Sequence, residues 1–244
     1  MTFRPYFGTV LSLVAFAALA SPAGADTVLR PKAVVELFTS QGCASCPPAD
    51  ALLTSLAEQD DVVALAYHVD YWDYVGWEDT FGDASYSDRQ RAYAESWGSS
   101  RIFTPQMVVN GAKGVVGSKR NEVHHALDGA SLPLTVQIVQ DGDMLKIAIP
   151  PNSSLDDAVV WMVTYLDRAD VSIEEGDNAG KSMVYTQVVT GRQALGMWEG
   201  ATGADLKLPL PEVLSVGSTG IAVIVQQERN GLPGPILGAA TFEH

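Results

Sequence analysis

The chain has 244 residues, enough for one large folded unit or two modest ones with real cores. Its 47% hydrophobic and 18% charged residues suit a globular protein and exclude a disordered one. A formal net charge of −14 repels a polyanionic phosphate backbone, so nucleic acid is not an expected partner; solubility accounts for the charge, with a basic protein partner left open.

The N-terminus reads as a targeting signal. Arg4 precedes an almost wholly apolar run over residues 8–20, and Ala23-Gly24-Ala25 fits a small-residue cleavage site, so residues 1–25 are expected to be a signal peptide cut before Asp26. The run is shorter than the ~20 residues a bilayer span needs. The mature chain is expected to be periplasmic or secreted, with no stable membrane insertion; an uncleaved anchor is the alternative.

AVVELFT at 33–39 predicts a buried strand. Ser40-Gln41-Gly42 then turns into Cys43-Ala44-Ser45-Cys46, followed by Pro47 and Pro48, residues suited to a first helical turn. Ala49, Leu52, Leu53, Leu56 and Ala57 form the apolar stripe of a packed helix. VVALAY at 62–67 predicts a second buried strand. HVDYWDYVGWEDTF at 68–81 has no clear period and reads as a loop. Ser87, three residues before Gln90, predicts a capping box and a helix running to about Trp97. QMVV at 106–109 and residues 113–116 flank Asn110-Gly111, a hairpin signal, and Ser118 is placed to cap a helix carrying Val123, Ala126 and Leu127.

From Leu132 helical stripes vanish. Residues 135–139 and 144–149 predict a hairpin around Asp141-Gly142, with further strands at 159–166, 183–189 and 221–227 and a weaker one at 236–242. The expected architecture is an α/β unit over 26–131 and an all-β, sandwich-like unit over 132–244.

Cys43 and Cys46 are the only cysteines, and in an oxidising compartment they close on each other unless reduced. A CxxC that follows a buried strand and opens a helix places Cys43 where the helix dipole favours a thiolate, the nucleophilic form. Cys46, nearly a turn later, is placed to attack a mixed disulfide on Cys43. The alternative is an inert staple, although so short a loop adds little chain-entropy stabilisation. Glu36, in an otherwise apolar strand, is either a proton acceptor for Cys46 or a carboxylate facing solvent. Pro105 opens a strand without an N–H to donate. Tyr71, Trp72 and Trp77 are placed to grip a substrate peptide; the alternative is that Trp72, Tyr74 and Trp77 cap the core. His68 either tunes Cys43, joins the cysteines as a soft-metal ligand, or is structural. No second CxxC or His-x-His cluster completes a metal site, and no cofactor is expected.

VVELFTSQGCASCPPAD and IFTPQMVVNG resemble the two halves of a thioredoxin-fold active site. The resemblance covers about residues 33–127. It implies Cys43 as the attacking thiol, Cys46 as the resolving thiol, Pro105 as a cis-proline facing them, and Thr104 as a backbone contact for an extended substrate. Glu36 matches the buried carboxylate of thioredoxins with one residue inserted. Gly42 replaces the tryptophan before the first cysteine, and the Ala-Ser dipeptide leaves oxidant and reductant both open. The chain is also similar to an exported bacterial thioredoxin-like family catalogued as a domain of unknown function, through FTSQGCASCPPAD, YHVDYWDYVGW, RQRAYA, TPQMVVNG and GPILGA. The expected function is thiol–disulfide exchange with a thiol- or disulfide-bearing protein; a binding or chaperone module with a passive disulfide and a copper carrier are the rivals.

Overall fold

The computed structural model describes residues 1–2, 30–213 and 217–243. The expected signal segment and its cleavage site lie outside the described residues. Strand β1 (Ala33–Thr39) leads to helix α1 (Pro47–Ala57), strand β2 (Val62–His68) and, after a 3-10 turn at Asp73–Val75, helix α2 (Ala84–Ser96). Strands β3 (Gln106–Val109) and β4 (Lys113–Val116) precede helix α3 (Arg120–Asp128). The rest is strand-rich: β5 (Gln137–Asp141), β6 (Met144–Ile149), β7 (Ala158–Ser172), β8 (Ser182–Trp198), β9 (Ala204–Pro209), the short helix α4 (Leu210–Val213), β10 (Gly220–Arg229) and β11 (Leu232–Glu243). Among the described residues no helix is long and apolar enough to cross a membrane.

Eight strands form one mixed sheet in the order β11-β10-β7-β8-β2-β1-β3-β4. β1 and β2 are parallel, β3 runs antiparallel to β1, and β4 runs antiparallel to β3. β1 is buried on both faces, which is why it reads as a continuous apolar run. Val35 and Leu37 pack with Leu52, Leu53 and Leu56 of α1 and with Val123 and Leu127 of α3. Each leucine so buried contributes roughly 1.5–3 kcal/mol. Val34 and Phe38 point the other way, into a cluster with Tyr86 and Tyr93 of α2.

The expected all-β unit exists in coarser form. β5, β6 and β9 make a separate three-stranded sheet, whose Ile147 and Ile149 pack on Val160, Val223 and Val225 of the large sheet. β7, β8, β10 and β11, however, belong to the large sheet, joined to β2 through one parallel pairing, Ala66 with Val188. Val163, Ala222 and Ile224 thereby share a core with Val34 and Phe38.

Three local expectations change. α2 starts at Ala84, capped by Asp83, whose carboxylate accepts from the Ser85 N–H at 2.7 Å; Ser87 instead donates to Asp70 at 2.5 Å. α3 begins after Lys119 with no side-chain cap, so Ser118 does not cap it. β9 was not anticipated, although Leu206 and Leu208 alternate toward the small sheet's core. The Asn110-Gly111 hairpin is present: these residues have φ of 49° and 65° in a turn closed by Ala112 N–H to Val109 O at 3.1 Å, and Ala112 completes the loop before Lys113 pairs with Val109.

Candidate functional site at the Cys43–Cys46 disulfide

The chain leaves β1 at Thr39 and turns tightly: Gly42 N–H donates to Ser40 Oγ, and Cys43 N–H to Ser40 O. Gly42 fits because Trp72 packs on it; a Cβ there would lie 3.2 Å from Trp72 Cβ. Cys43 and Cys46 are joined in a disulfide with Cα atoms 5.4 Å apart. Ala44 and Ser45 are exposed between them, but both cysteines are fully buried.

The Cys43 exposure is 0%. One feature of this geometry corrects the sequence reading: Cys43 does not open the helix. Cys46 is the N-cap of α1, and its N–H is already given to Cys43 O at 3.1 Å. Pro47 and Pro48 have no N–H, and Ala49 N–H returns to Cys46 O. The first turn therefore offers no spare backbone donor to a thiolate, and only the dipole remains.

Side-chain hydroxyls take that place. Thr104 Oγ1 donates to Cys43 Sγ at 3.3 Å, and Ser45 Oγ lies 3.4 Å from the same sulfur. Trp72 Nε1–H donates to Thr104 Oγ1 at 2.7 Å, which fixes the hydroxyl's lone pairs and leaves its proton for the sulfur. The Thr104–Pro105 peptide is cis, as the resemblance implied, and Pro105 is buried where β3 begins.

The aromatic loop braces the site rather than standing open. Trp77 Nε1–H donates to Gln41 Oε1 at 2.7 Å, and Tyr71 OH donates to Gln90 Oε1 at 3.0 Å. Trp72, Tyr71 and Trp77 are all partly buried, while Tyr74 is exposed.

Glu36 does not face solvent. It is fully buried on the α2 face of β1, opposite the face that carries α1. There it pairs with Arg89 at 2.7 Å and accepts from Tyr93 OH at 2.5 Å, and Arg89 and Tyr93 in turn bond Gln226. The carboxylate is engaged by this network, on the face of the sheet away from α1.

A different acidic cluster lies on the α1 face. Asp50, one helical turn beyond Cys46, accepts from Thr39 Oγ1 at 2.7 Å, and its second oxygen has no partner. Burial pushes its carboxyl up to about 7, against the opposing effects of the Thr39 bond and of His68. Thr39 pairs with His68 across β1 and β2. His68 Nδ1 lies 2.8 Å from Asp79 Oδ2, and its Nε2 has no partner. Burial opposes ionisation of Asp79, but His68 and the N–H groups of Gln41 and Phe81 outweigh it and hold that carboxyl below its ordinary value. Among the described residues no group of three His, Cys, Asp or Glu side chains that could hold a metal ion is found.

Asn178, from the β7–β8 connection, donates through Nδ2 to Gln41 O at 2.8 Å and to Cys43 O at 3.1 Å. Sequence reasoning missed Asn178, Asp79 and Asp50. Only Asp50 left a signal, a carboxylate within the buried stripe of α1 between Ala49 and Leu53.

Among curated proteins nothing matches the chain. A protein from Agrobacterium tumefaciens, solved by X-ray crystallography as a structural-genomics target, is similar: 36% identity, 88% of this chain and 95% of that one covered, TM-score 0.78. A family model described as a protein of unknown function (DUF1223) matches residues 34–226, and the chain belongs to that family.

Proposed function

We propose that the protein is an exported thiol–disulfide exchange protein of thioredoxin-like build, working through Cys43 and Cys46. The observation that carries this reading is the Thr104 hydroxyl held on the sulfur of a CxxC disulfide, 3.3 Å from Cys43. A hydroxyl in that position stabilises a thiolate. The order β2-β1-β3-β4, with α1 and α3 on one face and α2 on the other, supports the thioredoxin-like reading of residues 26–131. The apolar segment before Asp26 supports export.

In the direction set by the oxidised pair, a substrate thiolate attacks Cys43 Sγ and Cys46 leaves as a thiolate. A second substrate thiol then displaces Cys43 and closes a substrate disulfide. Two electrons pass from the substrate dithiol to the Cys43–Cys46 pair, and exchange with a disulfide-bearing protein reoxidises it. Thr104 stabilises the Cys43 thiolate, Pro105 leaves Thr104 facing the sulfur, and Trp72 orients its hydroxyl. Because both sulfurs are buried, a substrate reaches Cys43 only after the exposed Ala44-Ser45 segment or the Asn178 contact moves.

That burial favours a second reading, a structural disulfide within a binding module. Equilibration in glutathione buffers separates the two. A potential between about −120 and −270 mV, with glutathione trapped on Cys43 in a Cys46→Ser variant, is the expected result. A potential below about −300 mV, with no adduct, establishes the staple.

A further inference from the structure

We propose that Asp50 is the proton-transfer partner of Cys46, giving a proton to its sulfur as the disulfide opens and taking it back as the disulfide closes. The inference rests on the exchange reading above and assigns a carboxylate on α1 in place of the β1 carboxylate that the sequence suggested.

Position comes first. Cys46 caps α1 and Asp50 lies four residues on, with its N–H bonded to Cys46 O at 3.1 Å. Residues so spaced lie one above the other on the same helix face. Cys46 is fully buried and Asp50 is 5% exposed, so they share a face closed to bulk water. A thiolate released there needs a nearby proton, because a bare charge in that environment is strongly disfavoured.

Valence comes second. Asp50 Oδ1 is held by Thr39, and Oδ2 is buried without a partner. A purely structural carboxylate has both oxygens satisfied; here one is left for a proton. Glu36 is excluded by its place on the opposite face, locked to Arg89 and Tyr93.

Charge comes third. The groups facing Asp50 are Thr39 from β1, His68 from β2, Asp79 from the loop after β2, and Tyr185 from β8, whose ring packs on His68. His68 Nδ1 is engaged by Asp79, which also takes the Gln41 N–H of the cysteine loop. Burial sets the Asp50 carboxyl at about 7. A group poised there both gives and accepts a proton at physiological pH.

The step balances simply. When a thiolate attacks Cys43 Sγ, the S–S bond electrons go to Cys46 Sγ, and the Asp50 proton follows to give a thiol and a carboxylate. On closure, Asp50 takes the Cys46 proton as its sulfur attacks Cys43 and expels the bound thiolate.

The test uses the mature protein with oxidised glutathione as the probe. Reduced wild type forms a glutathione adduct on Cys43, then closes and releases glutathione. In Asp50→Asn, adduct formation should match wild type, while closure should slow by roughly a hundredfold at pH 7 and lose its inflection near neutrality. Thr39→Val removes a hydrogen bond that favours the ionised carboxylate, so its inflection should move to higher pH. Closure in Asp50→Asn with wild-type rate and pH profile overturns the proposal. If that variant does not fold, an unmoved inflection in Thr39→Val overturns it. If wild type forms no adduct at all, the exchange reading fails instead.

Discussion

Thr104 Oγ1 stands between Trp72 and Cys43, accepting the indole N–H at 2.7 Å and donating to the sulfur at 3.3 Å. Because Pro47 and Pro48 remove the backbone donors of the first helical turn, this hydroxyl is a main polar contact of the sulfur. Thr104→Val keeps the shape and deletes the donor. The Cys43 thiolate should lose stabilisation and its pKa should rise by about one unit, slowing alkylation of the reduced protein up to about tenfold at pH 7. Stopped-flow alkylation against pH measures this; an unchanged profile means that the hydroxyl does not act on the thiolate.

Asn178 ties the second half of the chain to the cysteine loop through the carbonyls of Gln41 and Cys43. Asn178→Ala leaves both acceptors without this donor, a loss of about 1–3 kcal/mol if water does not replace it. The same change frees the loop, so dithiothreitol should reduce the disulfide faster than in wild type. Equal reduction rates would show that this contact does not control access to the sulfurs.

Glu36 and Arg89 form a buried pair, and removing one partner leaves the other uncompensated. Glu36→Gln should destabilise the fold by roughly 3 kcal/mol in urea, the low end for such pairs because glutamine still accepts a hydrogen bond. The rate of glutathione closure should not change, since the side chain lies across the sheet from α1. A large fall in closure rate without loss of stability would return Glu36 to the role first expected of it.

What the sequence disclosed was local. The stripe from Ala49 to Leu56, the apolar runs of β1 and β2 and the Asn110-Gly111 turn are short-range patterns, and each forms where expected. The parity of Glu36 along β1 was equally visible, with Val34 and Phe38 on its side; which face carries α1 is decided only by packing. The pairing of β2 with β8 and the reach of Asn178 to Cys43, 135 residues away, are long-range contacts with no local signature. Asp50 was legible in principle. The argument that a carboxylate in an apolar run is costly was applied to Glu36 and holds equally on the buried stripe of α1.

Asp50 also makes stability depend on pH in an unusual direction. Its carboxyl moves from the ordinary 3.8 to about 7 on folding, so between those values the folded state binds the proton and the unfolded state does not. Stability from this group is complete below pH 4, falls as pH rises, and is gone above about 7, a change of up to about 4 kcal/mol. Asp79 has the opposite sign: its carboxyl is held low, so its contribution is present above pH 4 and lost only as acid protonates it. Urea unfolding of oxidised wild type and Asp50→Asn between pH 4.5 and 8 isolates the Asp50 effect, because Asp79 is common to both. The wild-type advantage should shrink steadily up to pH 7 and then level off. A pH-independent difference would mean that Asp50 is ionised in the fold like an ordinary carboxylate, and so has no proton to give Cys46.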